Sequence, residues 1–124
     1  MTEQEYMVAV DAAVTRWHQD RRGDPLTCLA FDGAVPAQCH ANAAAFVAKH
    51  GGEVVRGFLV MHPHLGPEVW VFPHSVVRTA SVLVDVSLSP EQLRCHAFYP
   101  LFADIEDFVE QAQLKPELHR SIVS

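Results

Sequence analysis

The chain is short of cysteine, of basic residues and of long apolar runs, and each shortage removes a class of function. Cys28, Cys39 and Cys95 are scattered, and no two stand in a Cys-x-x-Cys spacing. An odd, dispersed set does not build a disulfide framework, so the thiols are expected to stay reduced, as in a reducing compartment. Nine Lys and Arg stand against 15 Asp and Glu, a net charge of −6. A nucleic-acid partner would want clustered basic residues, so none is expected. No apolar run approaches the roughly 20 residues of a spanning helix, so no membrane is expected either. The opening residues Met1-Thr2-Glu3-Gln4-Glu5 are acidic and form no basic-plus-apolar leader. The expected location is therefore cytoplasmic, with leaderless export left open.

What is present suits a folded domain. Hydrophobic residues make up 49% of the 124 and charged residues 19%, too apolar for disorder and enough for one core. Residues 1–124 read as a single domain without repeats or a linker. Thr2 and Glu5 form a capping box, and Tyr6, Val10, Ala13, Val14 and Trp17 recur at helical spacing to about Asp20. Gly23 and Pro25 end that helix. Leu26–Phe31 is too short an apolar run to assign, and Cys28 within it reads as a buried small hydrophobe. After the turn 32–36 a second helix opens at Cys39 and closes at Gly51-Gly52.

From Glu53 the pattern turns β-rich. Extended runs are expected over 53–60, 68–72, 74–78 and 82–86, with Pro73 marking an edge or a break. Ser89-Pro90-Glu91-Gln92 opens a helix that should carry Leu93, Cys95, His96 and Ala97. Further helix is expected over 104–111, and a last helical stub over 117–122. Helices, then consecutive strands, then helices indicate an α+β domain: a mostly antiparallel sheet packed on the helix of Cys39, flanked by N- and C-terminal helices.

Three residues stand out of character. Cys39 lies where a helix begins, and the free N–H groups and dipole there favour the thiolate. His74 and Asp85 are single polar residues inside apolar strands. If the two strands form a hairpin with an even loop, such as the four residues Arg78–Ser81, His74 and Asp85 face each other directly across it. Alternation puts Asp85 with Leu83 and Ser87 on one side, where a carboxylate needs a partner, and an imidazole N–H is a fitting one. Nucleophile Cys39, base His74 and orienting Asp85 make a triad for acyl transfer. The Cys39 N–H is the natural oxyanion donor, with Gln38 or Asn42 a second. Asn42 suits equally well as a tether to a strand.

This order of Cys, His and Asp resembles the papain-like superfamily in its transglutaminase-like or NlpC/P60-like arrangement. The segments Gln38–Ala43, Val55–Phe58, His74–Val77 and Leu83–Ser87 are also similar to a group of small uncharacterised bacterial and phage proteins. Those carry a Cys-x-x-Asn-Ala helix, a Val-x-Gly-aromatic strand, a His-Ala-Trp strand and an Asp-Pro-Thr turn. Here Ser75-Val76 and Val86-Ser87 depart from that pattern. The resemblance implies Cys39 as nucleophile, His74 as base and Asp85 as third member, needing no cofactor. Peptide, amide or thioester substrates all fit, for hydrolysis, deamidation or transglutamination. Two other readings compete: a catalytically inactive binding module on the same fold, and a zinc protein using His62, His64, Cys39-His40 or Cys95-His96. Against zinc, none of these has the usual ligand spacing. The sequence sets no oligomeric state.

Overall fold

The structure, a computed structural model, describes residues 2–63, 66–101 and 105–121. His64, the expected helix start at Asp104, the end of the expected stub at Ile122 and the side chain of Thr2 lie outside what it describes. The described residues form an α+β fold with four helices and one mixed six-stranded sheet.

Helix α1 (Thr2–Gln19) buries Tyr6, Val10, Ala13, Val14 and Trp17, the stripe its spacing predicts. Helix α2 (Cys39–His50) begins at the cysteine, with Gln38 at its N-cap, and ends where Gly51 takes φ +83°. Strand β1 (Thr27–Cys28) settles the unassigned run: it pairs parallel with β4 (Val82–Asp85). Cys28 is half-buried there rather than sealed in the core. Strands β2 (Glu53–Met61) and β3 (Glu68–Thr79) form the central antiparallel pair.

The C-terminal third departs from expectation. The capping box of Ser89 and Gln92 is formed, yet helix α3 (Pro90–Leu93) lasts one turn. Ala97, expected on that helix, instead begins strand β5 (Ala97–Pro100) beside β2. Helix α4 (Phe108–Leu114) starts after the expected Asp104 and runs past Gln111. The last stub is no helix; β6 (Leu118–Ser121) pairs antiparallel with β3. Short apolar segments took the structure their neighbours offered, as tertiary context overrides weak local preference.

The sheet order is β1-β4-β3-β2-β5, with β6 also against β3. Since β2 occupies one edge of β3, β4 and β6 share the other. There β6 takes Glu68–Val71 and β4 takes Val77–Thr79. Among the described residues no strand lies on that side of 72–76. Pro73 therefore breaks nothing: β3 runs straight through it, at the one place where its free edge tolerates a missing N–H.

Alternation divides the core. Val54, Phe58 and Val60 of β2, with Val69, Val71 and Val77 of β3, face α1, α2 and α4, packing on Tyr6, Phe108, Ala43 and Phe46. Val55, Leu59, Val76 and Phe98 form the opposite side with Leu88 and Leu93. Gly57 lets β5 approach: an added Cβ would meet the Tyr99 carbonyl oxygen at 2.4 Å.

Candidate active site

His74 and Asp85 belong to the side of the sheet away from α1, α2 and α4, and both are buried, at 3% and 0% exposure. The β3–β4 hairpin is tighter than expected. Its loop is the two residues Ala80-Ser81, with Ala80 at φ +54°, and Val77 pairs with Val84. Direct cross-strand pairing of His74 and Asp85 is thus replaced by a diagonal relation two residues out of register. The parity survives because both loops are even, so the side chains still share a face. His74 Nε2 donates to Asp85 Oδ2 at 2.6 Å. The other carboxylate oxygen accepts the backbone N–H groups of Ser87 and Leu88, each at 2.8 Å.

Every lone pair that matters on Asp85 is therefore directed. Burial would raise its pKa, but the hydrogen bond and charge of His74 and the two backbone donors hold it below the usual carboxylate range. Because Nε2 is committed to Asp85, Nδ1 is the ring atom left for the thiol. Burial alone would lower the His74 pKa, yet the bonds and charges of Asp85 and Cys39 raise it to about 9. The Cys39 thiol shows the complementary balance. Burial works against ionisation, while hydrogen bonding from His40 and His74, then the charge on both rings, bring its pKa down to about 6. Between those values thiolate and imidazolium coexist. Cys28 is the contrast: burial and the nearby charge of Asp85 push its thiol up.

Compared with protein-family models, curated proteins and solved structures, the chain matches none.

The opening in the sheet explains how a thiol on the helix layer meets an imidazole on the far side. Cys39, Ala37, Pro73 and Pro116 form a rim shared by two cavities. One, of about 530 Å³, is walled by His74, Leu59, Phe72, Leu88 and His96. The other, of about 550 Å³, lies on the helix side, against His40, Arg56, Ala44, Val109 and Gln113.

Gln38 is exposed at the second cavity, next to the thiol, with no capping bond from its side chain. Asn42 takes the tethering role of its two candidates. It is buried, accepts the Val35 N–H at 2.8 Å, and donates to the Val35 carbonyl at 2.9 Å and to Ser87 Oγ at 3.0 Å. Both amide hydrogens are spent on holding the loop before α2 against the end of β4, so none is left for an oxyanion.

Three further residues line the site without a place in the triad: His40, weighed in the sequence only as a zinc ligand, Ser75, read only as a departure from the family pattern, and Arg56. His40 Nδ1 is hydrogen-bonded to Ser75 Oγ at 2.6 Å, and Arg56 Nη1 donates to the same oxygen at 3.0 Å. The available signal was two polar residues on apolar strands, Arg56 and Ser75, which prove to be register partners.

Among the described residues no three His, Cys, Asp or Glu side chains converge as a metal site. His62 donates to the Gly66 carbonyl at 2.9 Å and His96 to the Gln92 carbonyl at 2.8 Å. Nor is any described helix long and apolar enough to cross a membrane.

Proposed function

We propose that the chain is a cysteine-dependent acyl-transfer enzyme with a papain-like arrangement of Cys39, His74 and Asp85. One observation carries the reading: a buried His74–Asp85 pair, bonded through Nε2, shares a cavity with a thiol at the start of a helix. In the first step the Cys39 sulfur attacks a carbonyl carbon, a C–S bond forms, and the carbonyl electrons move to oxygen. The Cys39 N–H, in the first turn of α2 where no intrahelical acceptor exists, receives that oxyanion, assisted by the Gln38 side chain. Collapse of the intermediate expels the leaving group, which takes the proton from His74 Nδ1. Water or an amine then yields a proton to His74 and attacks the thioester, and the sulfur departs as thiolate. Asp85 holds the ring orientation and stabilises the imidazolium throughout.

Peptide, amide and thioester substrates all fit this chemistry. The test is intact-mass analysis after exposure to thioester and amide panels. A single acyl adduct that maps to Cys39 and is absent from Cys39→Ala is expected. Iodoacetamide labelling supplies the companion measurement: Cys39 should react well below pH 8.5 and far ahead of Cys28 and Cys95. Slow, equal labelling of all three thiols would reduce the protein to a non-catalytic module.

A further inference from the structure

The two cavities meet at Cys39 but differ in chemistry, and His74 distinguishes their roles. A leaving group must take its proton from the His74 ring, so it occupies the cavity that ring lines, among Leu59, Phe72 and Leu88. The acyl portion then extends through the opening to the helix side, where Arg56 waits.

Arg56 is a half-buried cation with no carboxylate in ion-pairing distance among the described residues. One guanidinium N–H is fixed on Ser75 Oγ at 3.0 Å, and the group lies 6.0 Å from the centre of the Phe108 ring. Its remaining donors, of the five a guanidinium carries, have no protein acceptor among the described residues. A planar fork held at one end, uncompensated, and set in a cavity beside a nucleophile is built for an anion.

We infer that this second cavity binds a carboxylate carried by the acyl part of the substrate, with Arg56 as the residue that selects it. The inference rests on the proposed acyl transfer for its meaning, although the anion site can be tested without it. The preferred donors are thus dicarboxylic or acidic acyl groups, with an apolar leaving group on the His74 side.

The experiment compares iodoacetate with its neutral counterpart iodoacetamide on Cys39 at pH 7.5, in the unaltered protein, Arg56→Gln and Arg56→Lys. His74 is present in all three, so its own attraction for iodoacetate is common to them. Relative to the iodoacetamide rate in the same protein, the iodoacetate rate should fall about tenfold in Arg56→Gln, one lost charge-assisted contact. Arg56→Lys, which keeps the charge, should fall between. An unchanged ratio of the two rates across the three proteins overturns the site. A second arm does not use the thiol: glutarate should raise the melting temperature of the unaltered protein and leave that of Arg56→Gln unmoved. Slow labelling of Cys39 by both reagents would sink the enzyme proposal alone. In that event the glutarate arm decides the anion site, and no shift in either protein rejects it.

Discussion

Replacing His74 by Gln separates the thiol's acidity from its position. The glutamine amide can still donate to Asp85, so the buried carboxylate keeps a partner, while the positive charge and the ring that faces Cys39 are gone. Burial then opposes ionisation of Cys39 with only His40 left to favour it, and the pKa must climb from about 6. An ordinary thiol sits near 8.5, so the midpoint should rise toward it, to about 7 or above. A complete return to 8.5 would cut the thiolate at pH 6 from about half to about 0.3%, roughly 150-fold. The more basic sulfur is intrinsically the better nucleophile, and a Brønsted slope near 0.45 recovers about tenfold of that. For that return the net loss at pH 6 is about tenfold, and at pH 7 only about twofold. Single-point rates would understate the effect, and the assay is a full pH profile of iodoacetamide labelling, read at Cys39 by peptide mass. A midpoint still near 6 in the variant would refute the reasoning, because His74 would then contribute nothing to the acidity.

Further predictions address the neighbours. Turnover of an acyl donor should rise through about pH 6 as Cys39 ionises and fall through about pH 9 as His74 loses its proton. Asp85→Asn should move that falling limb downward toward the ordinary imidazole value. Asp85→Ala strands the His74 N–H and the backbone donors of Ser87 and Leu88, and should cost about 3–5 kcal/mol in denaturant unfolding. Asn42→Ala removes three hydrogen bonds that fix the loop before α2; about 2 kcal/mol of stability should go with them, and labelling of Cys39 should slow. Gly57→Ala drives a methyl against the Tyr99 carbonyl, which is backbone and cannot swing aside, so about 1–3 kcal/mol of destabilisation is expected by thermal melting.

The site was more legible than the tertiary frame around it. Cys39 at a helix start, and His74 and Asp85 as lone polar residues in apolar strands, are local signals that survive without knowledge of the fold. Parity makes the shared face of His74 and Asp85 readable although the loop has two residues rather than four: Ala80 takes a left-handed conformation that favours Gly or Asn. Strands β5 and β6 were hidden because four-residue segments such as Ala97–Pro100 and Leu118–Ser121 carry no usable period; the open edges of β2 and β3 make them extended. The same limitation concealed Arg56 and Ser75, whose meaning depends on which strand lies beside which.

The gap along β3 has a consequence for how reactivity is acquired. The Cys39 thiol reaches its low pKa only once His74 on β3, held by Asp85 on β4, stands beside it, so contacts bridging separate stretches of the polymer must form first. Before that, at about pH 6, a partly assembled molecule carries an ordinary sulfur that reacts roughly tenfold more slowly. Pulse alkylation during refolding would on that account track completion of the last long-range contact, making the nucleophile its own reporter of maturation.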